Sequence, residues 1–488
     1  MNLSTSVILA TVFASILLSA LPRLGRKMDL EQWSVGDRAF GTVFVFLLMA
    51  GESFTTFTVL GASGFAYGHG GAVYYILAYE CLAYTLSFWL SPVIWRYAKQ
   101  HRLVSLPDFL RQKYESRTLG ALAALVGVVA LIPYIVLQLK GMAIIVSTAS
   151  SNALSPTTGI LLGAAAITIN VLLSGVHGSA WVSSVKDIAI VLLVVFLGIY
   201  LPRHYYGGIH AMFASVEAAK PGFTAIAPTG FSSVWFASTI ILSTLGFFMW
   251  PHVFAATFTS GSVATLRRNA ILLPAYSLLL ALVFFVGFTA VGVVPGLAGA
   301  QADLSLFKLA IGAMPAWFIA ILGSAGALCA IVPGSMLVLT TSILFSRDLV
   351  GAVDPARSDR FTVSLAKIAV PVIMIVCVTF ALSGSQTVVA LLLMGYNFVT
   401  QLAPAFFASL SKRNPATTKG AICGVVVGVL SVAVISLTGS RTSTLLPFIP
   451  DSLRDINVGI VALAVNVCAF VLVSFLDRLM PASRKLAP

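Results

Sequence analysis

Charge is what this sequence has least of. Asp, Glu, Lys and Arg make up 9% of its 488 residues, against about a quarter in soluble domains. Hydrophobic residues reach 59% and the mean hydropathy is +1.00. So little charge cannot clothe a water-facing surface, which excludes a soluble enzyme and a disordered chain and leaves a polytopic, all-α membrane protein. Cysteine is also scarce. Cys81, Cys329, Cys377, Cys423 and Cys468 all fall in apolar runs with neither disulfide nor metal-ligand spacing, so they read as packing residues. No Walker-type GxxxxGK[ST] stretch occurs, which argues against a primary pump. The net charge of +13 has no folded basic domain to carry it, which argues against a nucleic-acid partner.

What is present is a series of apolar runs. Thirteen spans are expected, at 4–21, 42–66, 73–94, 119–149, 158–175, 181–201, 232–256, 270–293, 314–345, 362–384, 387–409, 419–438 and 457–476. The first has its basic cluster (Arg23, Arg26, Lys27) after it rather than before, so it reads as an uncleaved span, not a signal peptide. With the first loop placed in the cytoplasm, twenty-two of the 29 Lys and Arg fall on that side and five on the other, while Lys140 and Lys367 lie within spans. That asymmetry sets the N-terminus outside and the C-terminus inside. The expected organisation is an extra helix and first loop at 1–39, a transport core at 40–409 (halves 40–201 and 232–409), and two peripheral helices with a short tail at 410–488.

Polar residues at membrane depth are few enough to weigh one by one. In Phe46–Gly64, Glu52 sits among Ser53, Thr55, Thr56 and Thr58, with Gly51 before it and Gly61 and Gly64 after. A carboxylate at that depth costs roughly 2.5–3.5 kcal/mol and persists where it faces protein or a watery cavity. Glycine beside hydroxyls is what a helix needs to open and present its carbonyls. A transport site and an acid hydrogen-bonded within the bundle both fit. Lys140, mid-span after Gln138, reads as a partner of Glu52, structural or functional, or as a clamp for an anionic solute. Glu80, among Tyr74, Tyr75, Tyr79 and Tyr84, reads as a structural hydrogen-bonding acid. Lys186-Asp187 opens a span near the cytoplasmic face, where an interfacial salt bridge is the default and Asp187 at an inner mouth is the functional alternative.

A second interruption is Gly246-Phe247-Phe248-Met249-Trp250-Pro251-His252, where proline removes a backbone donor and frees carbonyls upstream. His252 there reads as a carboxylate ligand, a proton relay or a helix cap. Asn397 and Gln401, four apart, form an amide stripe on one helix face. The two breaks lie five spans apart, the spacing of an inverted repeat with substrate held between them.

These features resemble the sodium/solute symporter family, and within it the bacterial monocarboxylate permeases. The matching residues are Gly51-Glu52 with the hydroxyls that follow, Pro133-Tyr134-Ile135 with Leu137-Gln138-Leu139, Val185-Lys186-Asp187, Trp250-Pro251-His252, and Arg267-Arg268-Asn269-Ala270 with Leu273-Pro274-Ala275-Tyr276. The resemblance implies a LeuT-type 5+5 inverted repeat with one extra N-terminal helix. It also implies that two hydroxyl residues of the ninth span complete a sodium site in sodium-coupled members. Counting back from Arg347-Asp348, those positions hold Val332 and Pro333, a degenerate site that also includes Cys329. Neither side chain offers oxygen to a hard cation.

The expectation is therefore a non-enzymatic secondary transporter of a bacterial-type plasma membrane. It imports a small monocarboxylate such as lactate or pyruvate by alternating access, with a proton as coupling ion, no cofactor and no obligate protein partner. Glu52, Lys140 and Asp187 are expected to carry coupling. Ser53, Thr55, Thr56, Gln138, Lys140, Gly246, Trp250, His252, Asn397 and Gln401 are expected at the substrate. The alternative is a sodium-coupled symporter of the same fold for an amino acid or a vitamin acid.

Overall fold

A computed structural model describes residues 3–20, 38–353, 358–411, 413–439, 442–445 and 449–479; of 174–181 only the helical backbone is described. The basic residues Arg23, Arg26, Lys27, Arg357, Lys412, Arg441, Arg484 and Lys485 lie outside the described residues. Among the described residues the fold is helical, and the one β-type feature is an isolated bridge between Phe40 and Ser260.

In chain order the helices are α1 (Leu3–Ala20), α2 (Thr42–Ser53), α3 (Ala62–His69), α4 (Tyr74–Gln100), α5 (Leu106–Tyr114), α6 (Arg117–Ala149) and α7 (Pro156–Tyr206). There follow α8 (Ile209–Ala219), α9 (Ser233–Phe247), α10 (Pro251–Phe258), α11 (Val263–Ser277), α12 (Leu280–Val293), α13 (Ser305–Ala313) and α14 (Ala316–Ile343). The chain ends with α15 (Asp359–Ser383), α16 (Val388–Val399), α17 (Ala403–Ser409), α18 (Thr418–Thr438) and α19 (Val458–Leu479). Many starts are written in the sequence. Ser105, Ser116, Ser155, Ser262, Ser358, Thr387 and Thr417 each accept a backbone N–H from the first turn of the helix they precede.

Ten helices among the described residues are long and apolar enough to cross a bilayer, or eleven if the bent pair α9–α10 counts as one span. The expected thirteen differ from this at two places. The first span and α2 are shorter apolar helices, and the helical run Phe57–Gln100 holds what the sequence divided between two spans. The expected gap at 176–180 is not a break in the backbone, because α7 runs helical from Pro156 to Tyr206.

Burial sorts the helices. In its most apolar window α14 is 94% buried, against 33% in α15 and 28% in α19. Hence α14 is the spine of the bundle, while α15 and α19 turn residues such as Ile368, Ile375 and Phe475 outward, where lipid covers them. Glycine permits the closest contacts. A Cβ on Gly141 would lie 2.4 Å from Cβ of Thr56, and one on Gly395 would lie 2.6 Å from the Trp250 ring.

On the outer side the short connections lock together. Lys140 Nζ donates to the carbonyls of Gly384 (2.7 Å) and Gln386 (3.1 Å), and Asp303 Oδ2 accepts the N–H of Val388 at 3.0 Å. Asp303 lies outside the spans, in the turn Gly299–Leu304, and is 3% exposed. Burial pushes its carboxyl from 3.8 up to about 7, partly offset by the Val388 N–H and by Lys140. An acid whose pKa is raised on folding adds stability that is complete below the unfolded value and lost as pH rises through the folded one. The thermal stability of the wild type should therefore fall relative to Asp303→Asn between pH 4 and pH 7 and run parallel to it above, as melting curves in detergent across that range will read. Parallel curves throughout would remove Asp303 from the latch.

Candidate functional site

Two helices break in mid-bundle, each for a local reason. The first stops after Ser53, where Phe54 takes φ −92° and ψ 85°, and resumes as a π-helical turn at Phe57–Gly61. Its hydroxyls stitch the gap. Thr55 N–H donates to Thr58 Oγ1 (2.8 Å), Thr58 Oγ1 donates back to Thr55 O (3.0 Å), and Phe57 N–H donates to Thr55 Oγ1 (3.1 Å). The second break precedes Pro251, with Trp250 extended at φ −65° and ψ 121°, and the two halves meet at a 48° bend.

Between the breaks lies a narrow cavity. Glu52 and Ser53 enter it from the first break, Trp250 and His252 from the second, Tyr79, Glu80 and Tyr84 from α4, Tyr134 from α6, and Leu392 and Tyr396 from α16. Glu52 Oε2 and His252 Nε2 face one another at 3.8 Å, too far for a hydrogen bond, and Glu52 Oε2 and His252 Nδ1 are both buried without a partner. Trp250 packs between Tyr134 and Tyr396, with ring centroids at 5.3 Å from each. Ser53 Oγ and Tyr84 Oη share a 2.6 Å hydrogen bond, and Ser277 Oγ donates to Glu80 Oε2 at 3.1 Å. Among the described residues, no Lys or Arg lines this cavity.

Several expected site residues stand elsewhere. Lys140 is six residues on from Tyr134, hence about 9 Å further along α6 and about 120° round it; it serves the outer latch and does not meet Glu52. Thr55 is spent on the break, and Thr56 donates to Gln138 Oε1 at 2.7 Å, so neither hydroxyl nor Gln138 lines the cavity. Gly246 sits against Thr400 and Tyr396, where a Cβ would fall 2.2 Å from Thr400 Oγ1. Gln401 Nε2 donates to the Asn397 carbonyl (3.0 Å), and Asn466 Nδ2 to the Gln401 carbonyl (2.7 Å). Asn397 Oδ1 approaches Gly459. The amide stripe thus faces α19, and another face of α16 carries Leu392 and Tyr396 to the cavity.

Lys186 and Asp187 are not interfacial. Lys186 is fully buried. Its Nζ donates to the carbonyls of Gly51 (2.7 Å) and Phe54 (2.9 Å) and lies 2.9 Å from Asp187 Oδ1. Ser183 Oγ lies 3.1 Å from Asp187 Oδ2 and 2.9 Å from the Leu47 carbonyl, its one proton shared between the two acceptors. Asp187 is therefore a buried partner of Lys186, beside the first break. On α14, Val332 packs with Val182 and Leu328, Cys329 is fully buried, Pro333 lies inside the helix, and Ser335 Oγ turns back to the Ile331 carbonyl at 2.7 Å. What the sequence did not disclose was the role of Lys186 and the entry of Glu80, Tyr79, Tyr84, Tyr134 and Tyr396 into the cavity. A lysine five residues inside the expected span at 181–201 was the available signal for the first.

The chain has relatives among known symporters. It is 50% identical over 478 residues to an uncharacterized symporter, YhjB, of Bacillus subtilis, covering 98% of each chain. It is 30% identical to a monocarboxylate transport permease protein of Rhizobium johnstonii over 93% of this chain and 91% of that one. Among solved structures it superposes on a Na+-coupled sialic acid symporter with a TM-score of 0.80 and 98% coverage of both chains, at 15% identity, a likeness of LeuT-type fold. The profile of the sodium:solute symporter family matches residues 33–428, so this chain is a member of that family: a multi-pass plasma-membrane symporter, not an enzyme.

Proposed function

We propose that the protein imports a small monocarboxylate together with a proton. The observation that carries the reading is the cavity lining: among the described residues, two acids, Glu52 and Glu80, one histidine and no fixed cation. A carboxylate anion entering such a site would add a third negative group where unpaired charge is costly. A proton on Glu52 lowers that conflict by one charge and gives the substrate a hydrogen-bond donor, while His252 Nδ1 offers a second unpartnered atom. Substrate and proton then cross as an electroneutral pair. Trp250, Tyr134 and Tyr396 supply the flat apolar walls that fit a short acid. The relative named as a monocarboxylate transport permease supports the substrate class.

Alternating access follows from the breaks. Each half-helix turns about a point where its backbone is already open, so inner and outer halves move separately around a fixed site.

The test is uptake of labelled lactate and pyruvate into proteoliposomes under an imposed proton gradient or an imposed sodium gradient, for the wild type and Glu52→Gln. The expected result is proton-driven accumulation, no response to sodium, and loss of accumulation in Glu52→Gln with facilitated exchange retained. Sodium-driven accumulation would overturn the coupling; uptake of neither acid under either gradient would overturn the substrate class.

A further inference from the structure

The first break exposes carbonyls that lack a helical donor, and a side chain meets two of them. Around Lys186 Nζ stand Gly51 O at 2.7 Å, Phe54 O at 2.9 Å and Asp187 Oδ1 at 2.9 Å, with Ser183 Oγ bonded to the other oxygen of the same carboxylate. The spacing is tight, since a Cβ on Gly51 would fall 2.2 Å from Ser183 Oγ and 3.6 Å from Lys186 Nζ. Two neutral carbonyls, one carboxylate and one hydroxyl are also what a hard alkali cation takes: oxygen ligands carrying one net negative charge. The ammonium matches that charge: it donates to the two carbonyls and sets its charge 2.9 Å from the carboxylate oxygen. It is 0% exposed, and the Lys186–Asp187 pair has no second basic group within ion-pair distance among the described residues.

We propose that the Lys186 ammonium is a built-in cation seated in a latent sodium site. In the wild type it excludes sodium from Gly51 O, Phe54 O, Asp187 and Ser183. Truncating Lys186 while keeping Asp187 uncovers a site at which Na+, completed by water in the space of the lost stem, takes the place of the ammonium. On the α14 flank, Val332 packs on Val182 and Leu328 and offers no oxygen. The proposal deepens the proton-coupled reading and rests on it only for the claim that transport needs no sodium; the seat stands on the contacts themselves.

The experiment is thermal unfolding of the full-length purified protein in detergent, with choline exchanged for sodium at constant ionic strength. The wild type should show no sodium-specific shift. Lys186→Ala should melt lower in choline and recover several degrees, saturably, in sodium, as expected of a ligand that binds only the folded state. Lys186→Ala/Asp187→Asn, which lacks the carboxylate, should lose that recovery. If Lys186→Ala does not fold in choline, its purification in sodium alone is itself the expected rescue, and Lys186→Gln, which keeps most of the stem and adds an oxygen, provides the choline baseline. A saturable, sodium-specific stabilisation of the wild type that Asp187→Asn removes would overturn the proposal, as would a folded Lys186→Ala indifferent to sodium. These outcomes separate from those of uptake. Absence of monocarboxylate transport with the sodium results intact would leave the seat and remove the substrate reading. Proton-driven uptake by a wild type that binds sodium at Asp187 would do the reverse.

Discussion

Lys186→Met is expected to destabilise the protein by about 3–5 kcal/mol, the cost of removing one partner of a buried ion pair. The loss has two parts. Asp187, with 4% of its surface exposed, keeps Ser183 as a donor but loses its counter-charge, and the carbonyls of Gly51 and Phe54 lose the donor that meets them at the break. Methionine fills the space of the stem, so packing is nearly conserved and the effect reads out charge and hydrogen bonding rather than a cavity. Lys186→Met/Asp187→Leu removes both charges and should regain much of the stability, giving a coupling of about 1–3 kcal/mol in the double-mutant cycle. Melting temperature and the monodisperse fraction in detergent measure both. The double variant should fold and still transport poorly, because nothing then meets the carbonyls of the break. Sodium should not rescue Lys186→Met, whose side chain occupies the space an ion would need. A single variant as stable as the wild type would mean that the ion pair is incidental to the fold.

Much of this architecture was legible because membranes make sequence loud. With so few charged residues, each apolar run announced a helix, and Pro251 and the Gly51 region announced breaks. The inner halves of the site, Glu52, Ser53, Trp250 and His252, followed from those breaks. What sequence could not give was azimuth. Lys140 and Tyr134 share a helix, yet a rotation of about 120° sends one to the outer latch and the other to the cavity. Asn397 and Tyr396 are neighbours in sequence, and the step of about 100° between them sends one toward α19 and the other to the cavity. Lys186 was misplaced by depth rather than azimuth. Its position near the start of an apolar run suggested the interface, whereas the helix there continues from α7's first half, so the lysine is flanked by helix on both sides and sits in the core. The threonines at the first break were expected at the substrate because hydroxyls can serve either backbone or ligand, and here the opened backbone takes them first.

Arg38→Ala is expected to shift the protein at least tenfold toward a state open to the cytoplasm. The inner ends of both broken helices are tied together in this structure. Arg38 Nη2 donates to the Leu103 carbonyl at 2.6 Å, and its guanidinium lies 5.7 Å from the centroid of the Phe258 ring, at the end of α10. Two residues on, Phe40 N–H donates to Thr259 O and Gly261 N–H to Phe40 O, both at 3.0 Å, while Trp95 Nε1 donates to Ser260 O at 2.9 Å. Above this closure a second cavity lined by Ser87, Ser91, Phe254 and Thr257 is separated from the cavity between the breaks by Met49, Phe247 and Val253, which border both. Anything leaving inward must displace those three side chains and then part the Phe40–Ser260 bridge. A charged hydrogen bond contributes about 1.5–3 kcal/mol and a cation–π contact about 0.5–1 kcal/mol. Each 1.4 kcal/mol is a tenfold change in population, so losing both at one residue predicts a shift of at least that size. Labelling of Thr257→Cys by an impermeant maleimide from the cytoplasmic face reads it directly, with the faster rate expected in the Arg38→Ala background. Trp95→Phe gives up one neutral hydrogen bond and should produce a smaller change in the same direction. Equal labelling in all three backgrounds would show that the apolar residues Met49, Phe247 and Val253 alone keep the inner path shut, and that the ties at the cytoplasmic ends are bystanders to the transport cycle.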